Sequence, residues 1–158
     1  MINIVKGNIL DGTEDIIVQQ VNCKGVMGAG LAKSILNKYP NVKKEYQSFR
    51  NFSLNKGLTD KDLLGLVNYV RVIDGKVIAN VFGQVNIKKN RYDKTVYTKT
   101  EALTKGLKEV KELSKQLNKS VAIPYGIGCG LAGGDWNIVS KLIDSIFSDY
   151  KVTIYKLD

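Results

Sequence analysis

Asn22-Cys23-Lys24-Gly25-Val26-Met27-Gly28-Ala29-Gly30 and Gly126-Ile127-Gly128-Cys129-Gly130-Leu131-Ala132-Gly133-Gly134 are two glycine-dense stretches of the chain. Each follows an apolar, strand-like run and precedes an amphipathic run with helical spacing. Glycine tolerates positive φ and lets a ligand come close to the backbone. A helix that opens directly after such a turn presents unpaired N–H groups to an anion. One such turn suggests one phosphate. Two, about a hundred residues apart, suggest a ligand with two linked phosphates gripped from both sides.

The run leading into the first turn, residues 15–21, contains Ile16, Ile17 and Val18. Its near-continuous apolarity is that of a strand covered on both faces. Further strands are expected over residues 2–6, 63–73, 76–82, 121–125 and 151–157. Asp74-Gly75, between two of them, is a hairpin signal. Helical spacing places Leu31, Ala32, Ile35, Leu36 and Tyr39 on one stripe, which Pro40 interrupts. A second, short helix is expected through Val42, Tyr46 and Phe49. A long helix over 97–117 buries Leu103, Leu107, Val110, Leu113 and Leu117, and a last one starts at Asp135 with Trp136, Val139, Leu142, Ile143, Ile146 and Phe147 inward. The alternation predicts an α/β fold of three layers, α/β/α, around a central mixed sheet, with residues 1–158 as one domain.

The composition fits that class, at 44% hydrophobic and 25% charged. No apolar run is long enough to span a bilayer, and the first residues are too short and mixed for a signal peptide. A cytoplasmic protein with reduced Cys23 and Cys129 is expected. A disulfide between the two is open only if the fold brings the turns together. With no histidine in the chain, Ser-His-Asp and Cys-His catalysis and His-ligated metals are excluded. No metal and no cofactor is expected.

The net charge of +9 favours anionic ligands and raises the question of nucleic acid. Most of the excess is lysine spread along helical faces, which reads as solvated surface. The densest basic patch is Lys88-Lys89-Asn90-Arg91-Tyr92-Asp93-Lys94, either a polyanion contact or a mobile loop. The nucleotide-binding P-loop is absent: Gly30-Leu31-Ala32-Lys33-Ser34 has two residues between Gly30 and Lys33. Gly25, Gly28 and Gly30 run in the reverse of the Rossmann spacing.

Lys6-Gly7-Asn8-Ile9-Leu10, then residues 21–32, then Ile123-Pro124-Tyr125 with the turn Gly126–Leu131, in this order and spacing, resemble the macrodomain family. The likeness runs to Thr153-Ile154-Tyr155-Lys156-Leu157. That family binds ADP-ribose and its derivatives. The subgroup this chain resembles contains terminal ADP-ribose glycohydrolases, DNA ADP-ribose-removing antitoxins and ADP-ribose 1″-phosphate phosphatases. The resemblance implies that Met27, Gly28, Ala29, Gly30 and Leu31 face Gly126, Ile127, Gly128, Cys129, Gly130 and Leu131 across a pyrophosphate. It places Asn22 at the distal ribose. Asn8, with Ile9 beside it, stands where the family carries an adenine-binding Asp. An asparagine carbonyl still accepts from an amine, though a plain turn residue fits as well. Tyr155 lines the adenine pocket or belongs to the core.

The chain also departs from the subgroup. Gln84 stands where the glycohydrolases place an adduct-forming lysine, and Lys88 and Lys89 come later. Ala132 stands at the acidic position; Asp135, three residues on, is either a base or a helix N-cap. Hydrolysis of an ADP-ribose derivative then has Asn22, Gln84 and Asp135 as candidate catalytic groups. It covers phosphate removal from ADP-ribose 1″-phosphate and de-ADP-ribosylation of a protein or nucleic acid. A non-catalytic ADP-ribose-binding module is the alternative. A nucleic-acid-binding domain rests on charge alone, and no membrane partner is expected.

Overall fold

The computed structural model describes residues 2–157. In chain order the elements are β1 (Ile2–Lys6), β2 (Ile16–Asn22), α1 (Gly30–Lys38), α2 (Asn41–Asn55), β3 (Val67–Arg71), β4 (Val77–Gln84), α3 (Thr100–Leu117), β5 (Val121–Pro124), α4 (Trp136–Ile146) and β6 (Val152–Lys156). The strands form one sheet in the order β1-β6-β5-β2-β4-β3. β3 pairs antiparallel to β4, and the other neighbours are parallel. The mixed sheet lies between two helical layers, as the alternation predicted.

Period-two alternation along the strands supplies both cores. Ile16, Val18, Ala79, Val81, Ile123 and Ile154 meet Leu103, Leu107 and Val110 of α3 and Val139 and Ile143 of α4. Ile17, Val21, Ile78 and Phe82 meet Ile35 of α1 and Val42 and Tyr46 of α2. β2 is therefore apolar on both faces, except for Gln19, Gln20 and Asn22 toward its end. Gln19 is buried, and its amide donates to Asn80 Oδ1 at 2.8 Å, while Asn80 donates to Asn68 Oδ1 at 3.1 Å. This polar row across β2, β4 and β3 is satisfied internally, as buried amides must be.

The seam between β2 and β5 shapes the rest. Their pairing covers only Ile16↔Val121 and Ile17↔Ala122. At its foot, Asp15 and Ser120 stitch it: the Ser120 N–H and hydroxyl lie 2.9 and 3.0 Å from Asp15 Oδ2, and the Asp15 N–H donates to Ser120 Oγ at 2.9 Å. Above those pairs the strands part. From the end of β2 the chain turns to α1 on one face, and from the end of β5 it turns to α4 on the other. Such a switch point opens a crevice at the carboxyl edge of a sheet.

Three boundaries differ from expectation. The second helix is not short: α2 runs 15 residues, and Pro40 serves as its N-cap. The strand expected from residue 63 begins at Val67. Asp60–Leu63 instead form a 3₁₀ turn closed by a Thr59–Asp62 capping box, and Gly65 at φ +87° ends it. The long helix starts at Thr100 rather than 97, because the preceding residues pair elsewhere. Tyr97 and Thr98 donate to the Ala132 carbonyl, and Lys99 donates to the Gly83 carbonyl.

Candidate functional site

A cavity of about 540 Å³ fills the crevice, within the usual range for a small-molecule site. The first turn forms one wall, with Asn22 and residues 26–32. The second forms the other, with Pro124, Tyr125, residues 126–128 and residues 130–132. Gln19, Gln20 and Gln84 stand between the walls, and Ile87 and Lys88 flank them.

The first wall is held rigid by α2. Tyr46, Gln47 and Arg50 lie on one helical face and reach back to the turn. The Tyr46 hydroxyl donates to the Asn22 main-chain oxygen at 2.5 Å and accepts from the Gly25 N–H at 3.2 Å. Gln47 donates to the Gly25 carbonyl at 2.9 Å, and Arg50 to the Cys23 carbonyl at 2.6 Å. Asp60 pairs with Lys24 and Arg50, and the hydrogen bond from Lys24 leads the causes that hold its carboxyl below the ordinary range. Burial pushes the Tyr46 phenol well above its usual value.

Asn22 is part of this scaffold. Its Oδ1 accepts from the Lys24 and Val26 N–H groups at 3.0 and 3.2 Å, and its Nδ2 donates to the Val26 carbonyl at 2.8 Å. The effect is to leave the next residues without internal partners. The N–H groups of Met27, Gly28, Ala29 and Gly30 meet no acceptor among the described residues, and Ala29 caps α1 with no side-chain hydrogen bond. An open helix terminus thus stands in the cavity wall.

The second turn is built to the same end. Gly134 donates to the Gly128 carbonyl at 2.9 Å, Gly133 to Gly130 at 3.0 Å and Cys129 to Gly126 at 2.8 Å. The N–H groups of Gly126, Gly128, Gly130 and Leu131 meet no acceptor among the described residues. The Gln20 amide ties this turn to β4. It donates to Gln84 Oε1 at 2.8 Å and to Thr98 Oγ1 at 2.9 Å, and Thr98 donates to the Gly128 carbonyl at 2.5 Å. Gln20 Oε1 is buried and meets no partner. Gly128 has φ +72°, and a Cβ there would lie 2.9 Å from Gln20 Oε1 and 3.1 Å from Thr98 Oγ1.

The structure brings together most of the residues singled out from the sequence. Asn22, Gln84, Met27, Gly28, Ala29, Gly30, Leu31, Gly126, Ile127, Gly128, Gly130 and Leu131 all line the cavity. Gln84 is engaged at both ends, since its Nε2 donates to the Asn86 carbonyl at 2.9 Å. Cys129 is half-buried and its thiol donates to the Ile127 carbonyl at 3.3 Å; Cys129 and Cys23 are both free thiols.

Cys129, Asp135, Asn8, Ile9 and Tyr155 lie outside the lining. Asp135 N-caps α4, accepting from the Asn137 N–H at 2.9 Å. Asn8 Oδ1 accepts from the Leu10 N–H at 2.9 Å and caps a 3₁₀ turn in which Ile9 is buried. Tyr155 donates to Glu14 at 2.6 Å, and burial together with that carboxylate pushes its phenol up to about 12. These last three sit on the same sheet edge, beyond β5. There the Tyr155 carbonyl accepts from the Tyr125 N–H at 2.8 Å, and Lys156 stands 4.6 Å from the Tyr125 ring centre.

Sequence reasoning missed Gln19, Gln20, Ile87, Lys88 and Tyr125 as lining residues. Two consecutive glutamines ending an otherwise apolar strand were the available signal. Among the described residues no carboxylate lines the cavity, and the ionisable groups there are Lys88 and Tyr125.

No family model matches the chain. A solved structure, the macrodomain of Mycobacterium tuberculosis DarG, superposes with a TM-score of 0.77 at 28% identity, covering 98% of this chain and 97% of that one. An ADP-ribose 1″-phosphate phosphatase of Saccharomyces cerevisiae is 25% identical over 175 aligned positions, covering 99% of this chain and 98% of the relative. The chain has the macrodomain fold. A Thermosipho africanus fusion of a DNA ADP-ribosyl transferase with a DNA ADP-ribosyl glycohydrolase is 26% identical over 149 residues; the macrodomain described here spans 38% of its length. No helix of this macrodomain, among the described residues, is long and apolar enough to cross a membrane, and no group of acidic, cysteine or histidine side chains there is arranged to hold a metal ion.

Proposed function

We propose that this macrodomain binds ADP-ribose and hydrolyses a derivative of it. The observation that carries the reading is the pair of facing turns, each with a run of main-chain N–H groups left without internal acceptors, on either side of one cavity. A diphosphate accepts from both runs at once. The helix dipole of α1 adds favourable charge at the first. Apolar side chains exposed at the rim, Val26, Ile87, Tyr125 and Leu131, suit the ribose and base faces of such a ligand.

Hydrolysis here relies on positioning and on charge stabilisation by preorganised donors. The distal end of the ligand lies toward Gln20, Gln84 and Lys88. Phosphate removal from ADP-ribose 1″-phosphate has water attack the phosphorus as the P–O1″ bond breaks, with the proton lost by the water passing to the ribose oxygen; the Lys88 ammonium offsets charge on the transferred phosphoryl group. The full engagement of Asn22 and Gln84, and the place of Asp135 in a helix cap, favour a binding-only module as the second reading.

Saturation with ADP-ribose at about 100 times its dissociation constant is expected to stabilise the fold by about 2.7 kcal/mol, read as a rise in Tm. An unchanged Tm together with unchanged ligand NMR lines removes both readings. Incubation with ADP-ribose 1″-phosphate and with ADP-ribosylated DNA and protein separates them: release of phosphate or of ADP-ribose supports the enzyme, and binding without turnover supports the module.

A further inference from the structure

Gln20 Oε1 is, among the described residues, the single buried side-chain nitrogen or oxygen without a hydrogen-bond partner. A buried acceptor left without a donor destabilises a fold, so its persistence calls for a reason. We propose that Gln20 is a positioning residue for a diphosphate: it acts through Thr98 to hold the Gly128 carbonyl out of the cavity, and its own oxygen goes without a donor as a result. The inference rests on the reading of the second turn as an anion site and names the residue that aims it.

The direction of the Gln20 amide follows from its neighbours. Gln84 Nε2 donates to the Asn86 carbonyl at 2.9 Å, so Gln84 turns its oxygen toward Gln20. The Thr98 hydroxyl has one hydrogen and donates it to the Gly128 carbonyl at 2.5 Å, so Thr98 offers Gln20 only lone pairs. Gln20 therefore meets two acceptors, at 2.8 and 2.9 Å, and only its NH2 group can serve both. Its oxygen must point the other way. There it lies between Gly83 and Gly128: a Cβ on Gly83 would overlap it, and one on Gly128 would come within 2.9 Å. Two glycines make room for an oxygen that bonds to nothing.

What this secures is a carbonyl. The Gly128 oxygen accepts from the Thr98 hydroxyl and from the Gly134 N–H, the latter at 2.9 Å. Neither Thr98 nor Gly134 lines the cavity, so the carbonyl is held away from it. The Gly128 and Gly130 N–H groups stay without internal acceptors on the same turn. A glycine peptide turns easily, and a carbonyl oxygen swung into the cavity would repel a phosphate where an N–H should meet it. Were Gln20 to present its oxygen to Thr98, the hydroxyl hydrogen would go to Gln20 and Gly128 would lose one of its two anchors.

The test measures inorganic pyrophosphate and ADP-ribose binding by calorimetry, and Tm without ligand. Gln20→Met deletes both amide heteroatoms at similar volume. It is expected to bind both anions about tenfold more weakly, the loss of one well-aimed hydrogen bond to a charged group. Its Tm is expected to stay within about 2 °C of the parent, because the orphaned oxygen leaves together with the two bonds. Gln20→Glu keeps the shape but offers Thr98 an acceptor, and is expected to lose more affinity than Gln20→Met. Thr98→Val is expected to match Gln20→Met, and Thr98→Ser to stay within about threefold of the parent. The double variant Gln20→Met/Thr98→Val is expected to lose no more than either single change, as two links of one chain do.

Additive losses in the double variant overturn the role, as does Thr98→Val binding like the parent. So does Gln20→Met with parent affinity, or with a Tm lowered by more than about 5 °C. A parent chain that shows this pattern with pyrophosphate but does not bind ADP-ribose overturns the proposed function and keeps the role of Gln20. A parent that binds neither anion overturns both.

Discussion

Gly28 and Gly128 face the same cavity and tolerate very different changes. Gly28 lacks the positive φ of Gly25 and Gly30, and a Cβ there meets nothing within 4 Å. Gly28→Val is therefore expected to keep the parent Tm while filling space beside the open N–H groups, so that ADP-ribose affinity drops at least tenfold by calorimetry. Retained affinity in the folded variant would show that the ligand does not pass there. Gly128→Val meets Gln20 and Thr98 at once and strains a left-handed backbone, so it is expected to lower Tm as well as binding. Cys23 illustrates burial of another kind. Desolvation, followed by the nearby Asp60 charge, pushes its thiol up to about 11 from 9.0. The neutral thiol favours the fold below pH 9, and that contribution is lost as pH rises from 9.0 toward about 11. Iodoacetamide at pH 8 is expected to leave Cys23 unmodified in the folded protein and to alkylate it in denaturant, by peptide mass analysis.

At the scale of elements, α2 works on the first turn from behind. Tyr46→Phe deletes the hydroxyl shared by the Asn22 carbonyl and the Gly25 N–H, leaving both buried without that partner. The expected cost is about 1–3 kcal/mol in urea unfolding, with weaker ADP-ribose binding because the turn above it loosens. Unchanged stability would mean that Gln47 and Arg50 hold the turn unaided. This clamp was not legible in the sequence. Tyr46 reads as one more apolar position of an amphipathic helix, and nothing local says that its hydroxyl meets residues more than twenty positions earlier. The strands were legible because β-branched runs such as Ile16-Ile17-Val18 leave little choice, and so were the glycine turns. The ends of elements were not. Residues 97–99 have helical character, but tertiary pairing with Gly83 and Ala132 takes them first.

For the whole molecule, the decisive feature is where β2 and β5 part, and pairing register is not written in either strand alone. The stitch at its foot has a pH signature. Hydrogen bonding to the Ser120 N–H is the largest cause that holds the Asp15 carboxyl below its usual value of 3.8. A depressed folded pKa means that the contribution is present above the unfolded value and is lost as pH falls through the folded one. Tm is expected to fall as the pH is lowered below about 4, less steeply in Asp15→Ala, which starts from a lower Tm at neutral pH. Equal slopes would assign the acid sensitivity to the other carboxyls held low, those of Asp60, Asp62, Asp74, Asp93 and Asp149.

That seam makes the sheet resemble a book bound only along the lower part of its spine. One leaf carries β1, β6 and β5, the other β2, β4 and β3; their strands pair at two residue pairs, and above these the bonds from Gln20 through Thr98 to the Gly128 carbonyl cross between them. Whatever bridges the upper gap adds a further fastening, so occupancy of the cavity and cohesion between the leaves draw on one free energy. Amide protons along the free margins of β2 and β5 then become reporters of ligand, exchanging more slowly when the book is held shut.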